Sequence, residues 1–386
     1  MFWSGDLLPS VGQFIREVAL YWFAYEITGS AFALGVLSLV EAAPRLVLGV
    51  FAGVVVDRYD RLRLLIWNQG FCSVPVFALT ILYFLGVLQF WQILALEAFY
   101  AAVRSVIPSA AQSLIRDFVP EDTLLSAVSL YSLGFNLARV AGPSLGGVLL
   151  AFIGPGGCFM IHAVTLVASV AFMIRINPPA RVVRGSERNF VAEFTEGLAY
   201  VWRQPLIRCS IGAAWAISVF IGTYPRFLPV FAKNILAVGP EGLGLLMAAP
   251  GVGAVVALTL LSASGDRWNK EMMTFVTAML APLLLIVFCT STRFAVSAVL
   301  LGFVGAAHVG FRTLSRLIIQ IEVPRELLGR AMSVFLLDQG LRSFGSVVIG
   351  TAVGFLGAAL GLGLTSGLAI GTIGLLFGRL YIRRFQ

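Results

Sequence analysis

Apolar runs of about 20 residues recur along almost the whole chain, and this feature most limits what the chain can fold into. A helix needs about 20 apolar residues to cross the hydrocarbon core of a bilayer. Of the 386 residues, 59% are hydrophobic and only 12% are charged, with a mean hydropathy of +0.93. Soluble domains carry about 25% charged residues. The sequence therefore predicts an all-α membrane protein, because a membrane β-barrel would alternate apolar and polar residues.

Twelve spanning helices are predicted from the runs between charged and turn-forming clusters. They cover 2–27, 32–56, 64–86, 91–114, 124–152, 157–176, 206–231, 240–263, 271–290, 294–317, 326–351 and 359–378. A long polar stretch separates the first six spans from the last six. We therefore predict an N-terminal six-helix bundle at 1–176, a cytoplasmic linker at 177–205 and a C-terminal six-helix bundle at 206–386.

The predicted linker carries a helical pattern of its own. Phe190, Phe194, Leu198 and Val201 recur at helical spacing among charged residues. Such a pattern is typical of an amphipathic helix that lies on the membrane surface.

The basic residues give the orientation, because cytoplasmic loops of membrane proteins retain Lys and Arg. With a cytoplasmic N-terminus, eighteen basic residues fall on cytoplasmic segments and only Lys233 and Arg293 fall outside. The eighteen are Arg58, Arg61, Arg63, Arg116, Arg175, Arg181, Arg184, Arg188, Arg203, Arg208, Arg267, Lys270, Arg316, Arg325, Arg330, Arg379, Arg383 and Arg384. We expect a multi-pass protein of the bacterial inner membrane with both termini in the cytoplasm. No cleavable signal peptide is predicted, and whether Met1 is the true start stays open.

The two halves of the chain resemble each other. The dipeptide Asp-Arg at 57–58 recurs at 266–267, and Val-Pro at 119–120 recurs at 323–324. The offsets are 209 and 204 residues, and each dipeptide keeps its place relative to the predicted spans. This agreement predicts a parallel duplication of a six-helix unit, with two bundles related by pseudo-two-fold symmetry.

The most specific motif joins the second and third predicted spans, and its sequence is Gly53-Val-Val-Val-Asp57-Arg58-Tyr-Asp60-Arg61-Leu-Arg63. It resembles the loop signature of the Major Facilitator transporters, Gly-x-x-x-Asp-Arg followed by a glycine and basic residues, and the resemblance in layout covers nearly the whole chain. Asp60 stands where the signature has glycine, and Leu62 where a basic residue is common. The resemblance implies a conformational latch formed by Gly53, Asp57, Arg58, Arg61 and Arg63. The alternative is a solvated turn whose arginines only set the orientation.

A second motif, Gly142-Pro143-Ser-Leu-Gly146-Gly147, lies inside the fifth predicted span. Gly142 and Gly146 form a small-residue face for close helix contact, and Pro143 favours a kink. The stretch looks like the antiporter motif of the same family, and Asn136 and Arg139 upstream are similar to exporters of the enterobactin and macrolide efflux group. The resemblance implies export by antiport. Generic packing of small residues is the alternative.

Charged residues also fall inside predicted spans, where each costs about 2.5 to 3.5 kcal/mol at a helix centre. They are Arg16, Arg45, Arg104, Arg139, Arg226, Arg312, Arg342, Glu17, Glu41, Glu97 and Asp338. Glu41 with Arg45 and Asp338 with Arg342 are i, i+4 pairs, and Glu97 lies seven residues before Arg104 on the same face. These charges either neutralise one another or exchange a proton during transport. Glu41 and Glu97 are the first candidates, because both lie in the half with the better-matched motifs.

Other functional classes lack the residues they require. The only lysines, Lys233 and Lys270, lie outside any phosphate-binding loop, which excludes ATP coupling within this chain, and neither a GxSxG nor an HExxH motif is present. The four cysteines and two histidines occur singly, which favours core packing over metal ligation. The basic residues lie between apolar runs, which argues against nucleic-acid binding.

We therefore expect a secondary active transporter that exports a small, hydrophobic molecule by alternating access. It would need no cofactor and would draw on the transmembrane proton gradient. The expected partners are the substrate and the lipid bilayer, and the expected state is a monomer. A proton-coupled uptake symporter is the main alternative, followed by a membrane receptor and an intramembrane enzyme.

Overall fold

The computed structural model describes residues 2–105, 107, 114, 124–176, 198–264 and 269–384, and their regular secondary structure is helical. The first helices are α1 (Phe2–Thr28), α2 (Ala31–Arg58), α3 (Arg61–Phe84), α4 (Phe90–Arg104), α5 (Leu124–Met173), α6 (Pro205–Phe220) and α7 (Leu228–Asn234). The others are α8 (Pro240–Ser264), α9 (Lys270–Thr290), α10 (Phe294–Glu322), α11 (Arg325–Leu336), α12 (Asp338–Leu356) and α13 (Ala358–Arg384). A 3₁₀ turn at Tyr224–Phe227 precedes α7.

Most predicted spans correspond to these helices within a few residues. The fifth and sixth predicted spans both lie in α5, which is interrupted at Gly154, where φ is 65° and ψ is 179°. Glycine adopts a positive φ without the steric penalty that a Cβ brings, so the chain turns there between two helical segments. The backbone stays helical at Pro143, where the sequence predicts a kink. The part of the fourth predicted span beyond Arg104 lies largely outside the described residues.

Two predicted spans each consist of more than one helical element. The seventh consists of α6, the 3₁₀ turn and α7, and this region holds Pro225 and Pro229. Proline donates no backbone hydrogen bond, so Pro225 cannot bond to the carbonyl of Ile221 as a continuous helix would require, which explains the interruption. The eleventh consists of α11 and α12, with Leu337 as the turn between them.

Contacts between Cα atoms group the chain into two compact units. The first contains Met1–Gly29, Leu37–Ser186 and Gly239–Leu245, and the second contains Ser30–Val36, Glu187–Val238 and Leu246–Gln386. In the first unit α5 packs against α1 and α3, and α3 packs against α4. In the second, α9 packs against α10 and α13, while α12 packs against α6 and α13. The bundle boundaries drawn from the sequence stay a prediction, as does the surface helix, of which the structure describes only helical residues 198–203.

The surfaces of these helices are suited to lipid. Seven helical stretches in the described part of the chain are long and apolar enough to cross a membrane. Large apolar side chains such as Trp67, Phe71 and Val74 of α3 are more than half exposed, which water would disfavour and a bilayer would not. All four cysteines are free and buried, as the prediction of core packing requires.

Candidate functional site

A buried ion pair joins α1 to α4 in the first unit. The guanidinium of Arg16 donates through Nη1 to Glu97 Oε1 and through Nη2 to Glu97 Oε2, the second bond at 3.2 Å. Both residues are 2% exposed. Removing two charges from water is costly, and only a well-aligned, bidentate geometry offsets that cost. The pair is therefore stable as long as the carboxyl group of Glu97 stays charged.

Tyr100 lies at the centre of the surrounding cluster. The Arg16 guanidinium carbon lies 4.5 Å from the centroid of its ring, and Arg104 Nη1 donates to its hydroxyl at 3.1 Å. The ring of His162, from α5, packs edge-on at a centroid distance of 5.7 Å. Glu97, Tyr100 and Arg104 are three and four residues apart, so helical geometry alone places them on one face of α4.

Glu41 lies in the same unit and is 5% exposed. Its Oε2 accepts a hydrogen bond of 3.0 Å from the hydroxyl of Tyr21, and its charge acts electrostatically on Arg16. The predicted i+4 partner, Arg45, lies on α2, but its side chain is outside the described part of the structure. We define the first-unit cluster as Arg16, Glu41, Glu97, Tyr100, Arg104 and His162.

A second buried ion pair lies in the second unit, between α10 and the start of α12. Arg312 Nη1 donates to Asp338 Oδ2, which also accepts a hydrogen bond of 3.2 Å from the hydroxyl of Ser218. Asp338 is fully buried, whereas the side chain of Arg312 is 22% exposed. The guanidinium carbon of Arg312 lies 5.7 Å from the ring centroid of Phe335.

Of the four carboxylates predicted within spans, Glu41, Glu97 and Asp338 are buried. The fourth, Glu17, is half-buried. The ion-pair partners Arg16 and Arg312 lie on other helices, and sequence spacing does not predict them. Of the remaining predicted charges, Arg342 is half-buried and Arg139 is exposed. His162 appears isolated in the sequence but contacts Tyr100 in space, and no sequence signal predicts this contact.

The predicted latch lies at the junction of α2 and α3. Gly53, Asp57 and Arg58 are helical residues near the end of α2, and their side chains lie outside the described part of the structure. In the loop that follows, the Asp60 carboxylate accepts a hydrogen bond of 2.8 Å from the backbone N–H of Arg63. It therefore caps the first turn of α3, as aspartate commonly does. Arg61 is half-buried and Arg63 is exposed.

The motif of the fifth predicted span lies where α5 approaches other helices. A Cβ added at Gly142 would contact the side chain of Phe14, and one at Gly146 would lie 3.0 Å from the Cα of Ile15 in α1. Pro143, between them, is half-buried. The motif therefore keeps α5 close to α1, the helix that carries Arg16.

Residues 1–386 match the family model described as transmembrane secretion effector, of the Major Facilitator type. The chain belongs to the Major Facilitator transporters. It is a transporter and not an enzyme, and the resemblance drawn from the sequence motifs is confirmed.

Relatives of this Major Facilitator protein cover most of its length. It is 23% identical over 374 residues to the staphyloferrin A transporter of Staphylococcus aureus, a match that covers 90% of this chain and 87% of the relative. It is 24% identical over 340 residues to the multidrug efflux pump Tap of Mycolicibacterium fortuitum, covering 85% and 82%. The crystal structure of the nucleoside transporter NupG matches with a TM-score of 0.73 at 13% identity, covering 98% of both chains. The predicted twelve-helix fold is thereby confirmed.

Two glycine contacts reflect the internal duplication of this Major Facilitator chain. In the first unit, a Cβ added at Gly147 of α5 would lie 2.6 Å from the backbone nitrogen of Gly244 in α8. In the second unit, a Cβ added at Gly350 of α12 would lie 3.0 Å from the Cα of Gly35 in α2. Gly35 and Gly244 are 209 residues apart, and Gly147 and Gly350 are 203 apart, close to the offsets of the repeated dipeptides. Both contacts bring backbone against backbone, which only glycine permits.

Proposed function

We propose that this transporter exports a small molecule in exchange for protons and that the Arg16–Glu97 pair couples the two movements. The observation that carries the proposal is the bidentate, buried ion pair between α1 and α4. Protonation of Glu97 removes the charge that holds Arg16 and leaves a single acceptor oxygen beside a new hydroxyl. The two helices are then free to separate, because the remaining interaction no longer offsets the burial of the guanidinium. Proton binding is in this way linked to a change of conformation.

Two further features support export from the cytoplasm, and a third supports the proposed membrane location. The motif at 142–147 resembles that of antiporters, and one relative is named as a multidrug efflux pump. The one-sided distribution of basic residues supports an inner-membrane location with both termini in the cytoplasm. The proposed energy source is the proton gradient, with no cofactor, and the proposed working unit is a monomer.

Accumulation of a panel of cationic dyes in energised, efflux-deficient cells tests this proposal. Cells that express the protein should accumulate less of at least one dye, and an uncoupler should remove the difference. Purified protein in liposomes should then move that dye against its gradient when a proton gradient is imposed without ATP. Dye movement in the same direction as the protons would indicate uptake by symport, and movement that ignores the uncoupler would rule out proton coupling.

The proposed topology makes a prediction about accessibility. Single cysteines placed at Ser186 and at Gly239 of a cysteine-free variant should react from opposite sides of the membrane, because Arg181, Arg184 and Arg188 hold the first site in the cytoplasm. An impermeant maleimide added to intact cells should label only the cysteine at position 239. If position 186 reacted equally in intact cells, the twelve-span topology would be wrong.

The latch proposal predicts a defect in rate and not in binding. A carboxylate that faces the N-terminal dipole of another helix gains about 0.3 to 2 kcal/mol, and about 1.4 kcal/mol changes a population ratio tenfold. Asp57→Asn should therefore lower the transport rate about tenfold while membrane expression and substrate affinity stay near normal.

The second copy of the motif provides the matched variant. Asp266→Asn should have a milder effect, because Ser262 stands in the place of the motif glycine in that half. Normal transport in both variants would remove the latch proposal. Loss of Asp57→Asn from the membrane would show that the carboxylate serves folding.

A further inference from the structure

Among the residues that the structure describes, none donates a hydrogen bond to one carboxylate oxygen of Asp338, although its side chain is fully buried. Arg312 and Ser218 both donate to Oδ2, and Oδ1 accepts no hydrogen bond from the described residues. Nearly all buried polar atoms have a partner in the protein or in a bound molecule. An unpartnered carboxylate oxygen in the interior is therefore a place where the donor of a ligand would be favoured.

Two more unpartnered polar atoms lie one helical turn from the partners of Asp338. Trp215 precedes Ser218 by three residues on α6, and its indole Nε1 has no acceptor among the described residues. Ser315 follows Arg312 by three residues on α10, and its fully buried hydroxyl likewise has no partner there. Residues three apart lie on one face of a helix. The helix faces that contact Asp338 therefore carry two donors in addition to its free acceptor.

Leu337, the single turn residue between α11 and α12, keeps helical dihedral angles, with φ −58° and ψ −20°. Its carbonyl accepts hydrogen bonds from the N–H groups of Gly340 and Leu341. The backbone beside Asp338 is therefore satisfied, and the unpartnered groups at this position belong to side chains.

We propose that Asp338, Trp215 and Ser315 form a substrate subsite for a small molecule that carries an amine N–H near an oxygen acceptor. The amine donates to Asp338 Oδ1, and hydrogen bonds to a carboxylate are stronger than those to neutral acceptors. The indole N–H of Trp215 and the hydroxyl of Ser315 donate to the oxygen. Arg312 already balances the charge of Asp338, so the bound group needs a donor but no full charge. The inference rests on the proposed function only in requiring a transported small molecule, and it does not involve Glu97.

Equilibrium binding of two matched dyes to the purified protein in nanodiscs tests the subsite. Rhodamine 123 carries amine N–H groups and an ester carbonyl, whereas in tetramethylrhodamine methyl ester methyl groups replace those N–H hydrogens. Fluorescence anisotropy should show saturable binding of rhodamine 123 that is about tenfold tighter than binding of the methylated dye. A tenfold difference corresponds to about 1.4 kcal/mol, in the range of a hydrogen bond to a charged group.

Conservative variants assign the binding to the proposed residues. Trp215→Phe keeps the aromatic ring but removes the indole N–H, and Ser315→Ala removes only a hydroxyl. Each should weaken rhodamine 123 binding about fivefold, a loss of about 1 kcal/mol. Trp202→Phe is the matched control, because Trp202 is 61% exposed, and its affinity should equal that of the unmodified protein.

The outcomes separate this inference from the proposed function. Absence of saturable rhodamine 123 binding, equal affinity for the two dyes, or unchanged affinity in Trp215→Phe and Ser315→Ala would each overturn the subsite. Selective binding that depends on Trp215 and Ser315 would support it even if efflux proved insensitive to an uncoupler. Efflux that is insensitive to an uncoupler would count against proton coupling and not against the subsite.

Discussion

Replacement of Glu97 with glutamine should abolish proton-driven transport while substrate exchange in the absence of a gradient survives. The amide keeps the shape of the carboxylate and one acceptor for Arg16, but it cannot take up a proton. The ion pair is bidentate, and both partners are 2% exposed, so no solvent replaces the lost charge. Proteoliposomes with an imposed proton gradient should show net transport at the level of empty vesicles. Counterflow of labelled substrate should continue.

A control carboxylate of the same unit makes this result specific. Glu26 lies on α1 and is exposed, so Glu26→Gln should transport normally. Glu41→Gln should have an intermediate effect, because Glu41 is buried and acts on Arg16 from a distance. Full proton-driven transport in both Glu97→Gln and Glu41→Gln would show that the first-unit cluster is structural and that coupling lies elsewhere.

Substitution of Gly147 with alanine is expected to cause the second large effect. The added Cβ would lie 2.6 Å from the backbone nitrogen of Gly244, and a backbone atom cannot move aside as a side chain can. Helices α5 and α8 would have to separate, and overpacking of this kind costs about 1 to 3 kcal/mol. Because about 1.4 kcal/mol shifts a population tenfold, the transport rate should fall about tenfold or more.

Two glycine variants provide the comparison. Gly244→Ala should reproduce the defect, because its Cβ would lie 2.5 Å from the Cα of Gly147. Gly70→Ala should be neutral, because no described atom outside its own stretch of helix lies within 4 Å of the added Cβ. Transport rates and membrane expression should be measured together. Unimpaired transport by both Gly147→Ala and Gly244→Ala would mean that transport does not need the close contact. Loss of both variants from the membrane would show that the contact serves folding.

The two ion pairs suggest different tasks for the two units. Both carboxylate oxygens of Glu97 accept hydrogen bonds from Arg16, so the change open to Glu97 is the loss or gain of its charge. Within the described part of the chain, Asp338 is bound through one oxygen only, so it retains an acceptor for a second molecule. In our proposals the first carboxylate exchanges a proton and the second recognises substrate. The variants of Glu97 and of Trp215 test these tasks separately.

The class of protein and most of its helices follow from the sequence. Continuous apolar runs of spanning length cross a bilayer as helices, because the backbone of each segment must satisfy its own hydrogen bonds. The positions of the spans therefore follow from local composition. The repeated dipeptides likewise predicted the duplication that the glycine contacts reflect. The burial of Glu41 and Glu97 was also foreseeable, since both are charges within apolar runs.

Tertiary structure decided which of these charges meet. Glu97 pairs with Arg16, 81 residues away, and Asp338 with Arg312, 26 residues away, whereas sequence spacing offered only neighbours on the same helix. Periodicity along one helix shows which face is polar. The partner across the bundle depends on how helices pack, and that packing is set by the shapes of many side chains together.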